Sequence, residues 1–404
     1  MGGRQRVLHG GGGVTGTGKQ GVCGEKMRPG RAPARGRAGK ERYKIDLCPT
    51  LDKNVRSGLY KGQAGVFAEL SFCFFVHLKP RSVPVLLRLF ACAALALQLA
   101  FFPVSDVSPA LAAGQSVRSY DYAVLPLERN GYKLHFDCMK SAGTTPKKNI
   151  LLVHGLTYSS HEFDVNYGDY SLARFLADQG YAVWRLDVAG YGQSQAVEDG
   201  FMPNSDYAAE DVAAAAAAVV KESGQKRIDV LGWSWGTVTS SRFVAKHPDM
   251  VRRLVLYAPI LSGLGAGNVT SPFNNNTWVH AAGDFQMTDK GDIDYSIVEP
   301  AVVAEFQSNC WRYDGSSSPN GGRRDLVSSP SNLLIFPEQL KVPTFVIAGD
   351  KDPYINKDLF HALQPKLPAG SRVVEIKGAA HAMMMEKPFY KDFRNQVMAF
   401  LNEK

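Results

Sequence analysis

Ile228-Asp229-Val230-Leu231-Gly232-Trp233-Ser234-Trp235-Gly236-Thr237-Val238-Thr239-Ser240-Ser241 is the stretch on which the reading of this chain turns. The apolar run 228–231 predicts a short buried strand. Residues 237–246 predict a helix, closed by His247-Pro248. Between the two stands G-x-S-x-G. A serine on so tight a strand-to-helix turn lifts its hydroxyl clear of the sheet. Glycines at 232 and 236 are expected because a Cβ there would strike the neighbouring strand or helix. The pentapeptide also arises by chance in loops, so its surroundings decide what it means.

Upstream, residues 120–127 alternate as a strand does. Asn130-Gly131 is a hairpin signal, and 132–138 is the return strand. Residues 149–153 and 181–187 are apolar runs suited to strands buried on both faces. Helices are expected at 171–179, stopped by Gly180, and at 207–222, where the alanines of 213–218 have high helix propensity. Downstream, 251–259, 342–348 and 372–376 read as strands, with helices at 357–367 and 389–401. Strands alternating with helices predict an α/β fold: a mostly parallel, doubly wound sheet with an antiparallel N-terminal edge. Residues 262–340 break the rhythm. They are rich in Asn, Ser, Gly and Pro with helical patches such as 295–310, and are expected to form an inserted lid.

The chain has 404 residues, 45% of them hydrophobic, and a net charge of +8. That charge is unevenly spread. Seventeen Lys and Arg face six Asp and Glu up to residue 113, against 29 and 32 afterwards. The main domain carries no basic stripe and no nucleic-acid motif, which excludes an electrostatic case for a polyanion partner. Residues 1–78 are Gly-, Arg- and Pro-rich and lack the apolar content to fold alone. They are expected to be disordered or foreign to the working protein. Residues 79–112 join a positive flank (Lys79, Arg81), an apolar stretch and Ala110-Leu111-Ala112, the three parts of a secretory signal peptide. The alternative is a membrane anchor, which would be the chain's only membrane attachment. Residues 113–404 form the main domain, expected in the secreted or periplasmic space. Beyond the cleavage site only Cys138 and Cys310 remain, either paired or separately buried. No His/Cys spacing suits a metal, and no cofactor motif is present.

A serine hydroxyl needs a base to take its proton and a third group to orient that base. Gly349-Asp350-Lys351-Asp352 follows one strand, and Gly378-Ala379-Ala380-His381 follows the last. Both lie on the sheet edge where Ser234 is expected and where ligands bind in doubly wound folds. Asp352 is favoured over Asp350, which follows its strand so closely that it suits a structural turn. The oxyanion of a tetrahedral intermediate needs preorganised N–H donors. The Trp235 amide supplies one, and the loop after 150–153, His154-Gly155-Leu156, supplies the other through Leu156. His280 lies in the lid, without an assigned place.

These motifs resemble the α/β hydrolases of the esterase/lipase and proline-iminopeptidase-like branch. The resemblance covers about 120 to the C-terminus. It rests on Val153-His154-Gly155, Asp187-x-x-Gly190-x-Gly192-x-Ser194, the Ser234 pentapeptide, Gly349-x-x-Asp352, and Gly378-x-x-His381 followed by Glu386-x-Pro388. It implies a Ser234–His381–Asp352 triad, oxyanion amides at Leu156 and Trp235, and a lid after the strand ending at Tyr257. The expected activity is hydrolysis of a small carboxylic ester through an acyl-enzyme. Tyr158, Trp233, Trp278, Phe285 and Met383 are expected to wall the pocket, favouring an apolar or aromatic substrate. Two alternatives stand. One is an aminopeptidase or amidase, in which a lid carboxylate such as Asp284, Asp292, Asp294, Glu299 or Glu305 holds a free amine. The other is a non-enzymatic binding protein on the same fold.

Overall fold

The computed structural model describes residues 118–403. The segments expected at 1–78 and 79–112 lie outside the described residues. An eight-stranded sheet is built from β1 (Tyr120–Val124), β2 (Phe136–Ser141), β3 (Lys148–Val153), β4 (Tyr181–Leu186), β5 (Ile228–Trp233), β6 (Val251–Tyr257), β7 (Thr344–Gly349) and β8 (Arg372–Ile376). Its spatial order is β1-β2-β4-β3-β5-β6-β7-β8. β2 pairs antiparallel with β1 and with β4, and every other pairing is parallel. The fold is thus an α/β hydrolase fold with an antiparallel N-terminal edge.

The central strands are apolar without interruption because both of their faces are covered. Leu151, Val153, Val230, Leu254 and Leu256 pack into one core. Their neighbours Ile150, Leu152, Leu231 and Val255 pack into the other. Successive side chains point to opposite faces, so each strand contributes to both layers. Each fully buried aliphatic side chain contributes roughly 1.5–3 kcal/mol of burial free energy.

Helices α1 (Leu172–Asp178), α2 (Ser205–Ser223) and α3 (Trp235–Lys246) connect the parallel strands. In α2 the Asn204 side chain caps the Asp206 and Tyr207 amides, and Gly224 closes the helix at φ 67. The alanine run is a packed helix, with Ala213, Ala215 and Ala216 buried. Between β6 and β7 lie α4 (Trp278–Ala282), α5 (Pro300–Asn309), α6 (Gly321–Leu326) and a two-stranded ribbon of Phe273–Asn275 with Ser317–Pro319. After β7 come α7 (Lys357–His361) and, after β8, α8 (Tyr390–Leu401).

Three expected elements differ in detail. The strand expected at 120–127 ends at Val124. Leu127–Arg129 and Tyr132–Leu134 pair as a separate ribbon, closed by Asn130 at φ 52 and Gly131 at φ 81. The helix expected at 357–367 stops at His361, and Gln364–Lys366 is a 3-10 turn around Pro365, which cannot continue an α-helix. The patch expected at 295–310 starts only at Pro300. Cys138 and Cys310 are both free. Among the described residues, no helix is long and apolar enough to cross a membrane.

Candidate active site

Ser234 sits between β5 and α3 at φ 57, ψ −122, a conformation that costs a non-glycine residue of order 1–3 kcal/mol. The surroundings hold it there. Its amide donates to Tyr257 O at 3.0 Å, and its carbonyl accepts from the Thr237 amide at 2.9 Å. A Cβ on Gly232 would stand 2.3 Å from Gly236 O, and one on Gly236 would stand 2.2 Å from Val153 O. The backbone is packed too closely for any other residue at either position. Among the described residues the Ser234 hydroxyl makes no hydrogen bond. It faces a cavity of ≈ 230 Å³ whose lining includes Leu156, Tyr158, Asp284, Arg323, Tyr354 and His381.

His381, 3% exposed, lies beyond β8, and its Nδ1 is 2.8 Å from Asp352 Oδ2. Asp352 Oδ1 accepts from the Tyr354 amide at 2.9 Å, so both oxygens of the carboxylate are engaged. Burial pulls the imidazole pKa down. The Asp352 charge and hydrogen bond, aided by Asp284 and Glu386, more than offset this and leave it above its ordinary 6.5. Asp350 instead accepts from the Gly378 amide at 2.6 Å and ties the loops after β7 and β8 together.

The loop after β3 is fixed from beneath. Val188 N–H donates to His154 Nε2 at 3.0 Å, so that nitrogen is unprotonated and Nδ1–H donates to Gly155 O at 2.7 Å. Burial lowers the His154 pKa and keeps the ring neutral. The Gly155 amide donates to Glu162 Oε1 at 2.7 Å, and burial holds the Glu162 carboxyl well above the usual range. The next amide, Leu156, and the Trp235 amide at the start of α3 donate to no acceptor among the described residues. The Asp187 motif braces the same loop. Asp187 Oδ1 accepts from the Ser160 amide and hydroxyl, Oδ2 accepts from the Gln193 amide, and Ser194 Oγ donates to Asp187 O.

The expected pocket wall needs correction. Of the five residues assigned to it, only Tyr158 lines the Ser234 cavity. Trp233 is 2% exposed and stacks on Tyr257 at 5.7 Å. Its Nε1 and the Tyr257 hydroxyl both donate to the His381 carbonyl, at 3.2 and 2.7 Å. It holds the His381 backbone and does not reach the Ser234 cavity, because a strand's side chains alternate and 233 and 234 must diverge. The Trp235 ring is likewise core, donating to Ser205 Oγ at 2.9 Å. Met383 is wholly buried. Phe285 lines a second cavity of ≈ 530 Å³ that shares Gly283, Asp284 and His381 with the first but excludes Ser234. Trp278 is 48% exposed and stacks on Trp311 at 5.0 Å. The wall around Ser234 is instead mixed: Ile260, Leu264 and Leu326 are apolar, while His280, Asp284 and Arg323 are polar or charged. The residues between β6 and β7 thus supply Asp284, Arg323 and the unplaced His280.

The fold also gathers His135, His161 and Asp187, with one candidate metal-ligand atom from each within 4.8 Å of the others. Spacing gave no sign of this cluster, since three separate elements meet there. Its groups already have protein partners. His135 Nε2 bonds to Asp137 and His161 Nε2 to Gln193, each at 2.9 Å, and both Asp187 oxygens are engaged as above. The arrangement is accounted for as a buried hydrogen-bond network.

The family model for the serine aminopeptidase S33 family matches residues 144–388. Over 270 residues the chain is 24% identical to a pimeloyl-[acyl-carrier protein] methyl ester esterase of Neisseria meningitidis, covering 62% of this chain and 78% of that one. Over 124 residues it is 30% identical to human gastric triacylglycerol lipase, covering 28% of this chain and 31% of the lipase. The match to human lipase member K is of similar extent, 28% over 130 residues and 33% of that protein, so the chain spans about a third of these lipases. Among solved structures, a hydrolase from Pseudomonas aeruginosa superposes with a TM-score of 0.51 at 19% identity, covering 70% of this chain and 99% of that one. This last likeness is one of fold.

Proposed function

The chain belongs to the serine aminopeptidase S33 family of α/β hydrolases, and from that premise we propose that it is a serine hydrolase of small carboxylic esters. One observation carries the reading. A strained, unbonded serine hydroxyl shares a small cavity with a buried histidine whose far nitrogen is held by a carboxylate. Ser234 Oγ attacks the substrate carbonyl carbon while His381 Nε2 takes the hydroxyl proton. Asp352 stabilises the imidazolium so formed. The oxyanion is received by the Leu156 and Trp235 amides, neither of which has an acceptor among the described residues. Collapse breaks the C–O bond to the alcohol, which leaves with the proton from His381. Water, deprotonated by the same nitrogen, then attacks the acyl carbon; the acyl–Oγ bond breaks, Ser234 takes the proton back from His381, and the acid leaves. The residues of 262–340 act as the lid that completes the pocket.

A second reading is favoured by Asp284. It lines both cavities beside His381, and burial raises its pKa to about 6. There it is placed to meet the free amine of an aminopeptidase substrate. Parallel assays of a 4-nitrophenyl ester and a prolyl anilide separate the two. Ester turnover alone rejects the amine-binding reading, and anilide turnover alone rejects the ester reading. A fluorophosphonate probe is expected to label Ser234. Ser234→Ala is expected to lose labelling and to drop turnover by about 10⁴-fold or more. An unlabelled protein points to the binding-protein alternative. Export directed by 79–112 is also our proposal, checked by N-terminal sequencing of the secreted form.

A further inference from the structure

Arg323 is a half-buried cation in the Ser234 cavity with no carboxylate within salt-bridge distance among the described residues. Most of its half-buried or buried counterparts contrast with it, Arg394, which donates to the Asp169 and Tyr170 carbonyls, being an exception. Arg129 pairs with Asp211, Arg185 with Asp137, Arg174 with Asp164 and Arg252 with Asp229. Arg323 is nevertheless held firmly. Its Nε donates to Asn320 Oδ1 at 3.0 Å, and one terminal nitrogen donates to Thr157 Oγ1 at 2.7 Å. Asn320 is itself fixed, its amide donating to Gly200 O and Pro272 O and its Nδ2 to Ser271 O. Helix α6, which carries Arg323, is registered against the residue after Ser234, since a Cβ on Gly322 would stand 2.5 Å from the Trp235 ring. A guanidinium has five N–H donors, and two are used here.

A preorganised cation with spare donors beside a nucleophile matches a planar anion. We propose that Arg323 binds a carboxylate on the acyl part of the substrate, so that the preferred substrates are half-esters of short dicarboxylic acids. This rests on the ester-hydrolase reading above. The acyl side is indicated by the division of the two cavities. The smaller holds Ser234, to which the acyl group becomes bonded, together with Arg323. His381, which protonates the leaving oxygen, lines both cavities, and the larger holds neither Ser234 nor Arg323. Ile260 and Leu326 line the smaller cavity and suit the methylenes between the two carbonyl carbons.

The test compares 4-nitrophenyl hemiglutarate with 4-nitrophenyl pentanoate, matched in acyl length. The wild-type protein is expected to favour the half-ester in kcat/KM by about tenfold or more. Arg323→Gln is expected to cut that ratio about tenfold, mainly through KM, and Arg323→Lys to restore part of it. Equal kcat/KM for the two esters in the wild type overturns the proposal. So does a ratio unchanged in Arg323→Gln with both rates lowered alike, the pattern of a strut that only props Thr157. If neither ester is turned over, the ester reading itself has failed. Titration of glutarate into wild type and Arg323→Gln then decides the anion site alone: binding weakened about tenfold in the variant supports it, and no binding to the wild type overturns it. Should the variant fail to fold, the wild-type ratio and glutarate competition against pentanoate turnover decide between the same two outcomes.

Discussion

Two regions meet at the cavity, and they are held by different means. The loops after β3, β5, β7 and β8 are held at their backbone atoms, by other backbone atoms or by buried side chains. Ser234 is pinned by Tyr257 O and Thr237 N, Gly236 lies against Val153 O, and the His381 carbonyl is gripped by Trp233 and Tyr257. The segment between β6 and β7 is attached mostly by individual side chains. Gln286 Nε2 donates to Gly378 O and Glu386, Asn309 Nδ2 to Asp164 O, and Arg323 to Thr157. On the proposed function, the first region carries the groups between which a proton passes, which need a fixed geometry. The second lines the cavity with His280, Asp284 and Arg323.

That contrast can be broken at graded cost. The largest effect is expected at Asp352. Asp352→Asn should lower kcat by about 10⁴-fold by leaving the imidazole misoriented and its positive form unsupported. It should also move the acid limb of the kcat/KM profile. As the proposed base His381 must be neutral, and its pKa is held above 6.5, so wild-type activity is expected to fall as pH drops through a value above 6.5. In Asp352→Asn the limb should shift to lower pH, because the charge that raises the pKa is gone while burial remains. A limb that stays in place removes Asp352 from its role. Next comes Gly236→Ala, which should cost about 3 kcal/mol or more of stability, or prevent folding, since backbone and not a flexible side chain blocks the new methyl. Denaturant unfolding measures it, and a near-neutral result would mean that the elbow can relax. The smallest effect is expected in the segment between β6 and β7. Trp278→Ala should change stability by less than about 1 kcal/mol and leave KM unaltered, because the ring is exposed and stacks only on Trp311. A raised KM would return Trp278 to the pocket wall.

The sheet was readable because the central strands are apolar runs at regular intervals and their connecting helices carry clear caps and stops. The positions of Ser234, Asp352 and His381 were readable for a related reason: each directly follows a strand, and strand ends in a parallel sheet converge. Side-chain direction was much less readable. Trp233 adjoins Ser234 in the chain, and proximity in sequence suggested proximity to substrate. The period-2 alternation of β5 turns it to the other face, where it meets Tyr257 and His381. Arg323 gave the weakest signal of all. It lies in a Gly-, Ser- and Asn-rich stretch, and only the registry of α6 against Trp235 brings it to the cavity. The one available hint was Asn320-Gly321-Gly322-Arg323 itself, where two glycines permit so close an approach. The Asp187 motif was recognisable as a family mark, but its work of bracing the Ser160 turn appears only when residues 27 positions apart are seen together.

The grip of Trp233 and Tyr257 on the His381 carbonyl has a consequence for how such a protein can change. Ser234 and His381 are linked through β5 and β6 by this grip, without passing through the segment between β6 and β7. That segment sends Asp284 beside His381 and Gln286 to Glu386, so exchanging it should leave the grip in place and alter the cavity wall and the charges around the imidazole. A chimera bearing a foreign insertion at this point should choose different esters while cleaving a small activated ester at a similar rate. On the proposed function, substrate choice would then behave as a replaceable part, and acyl transfer as the chassis that receives it.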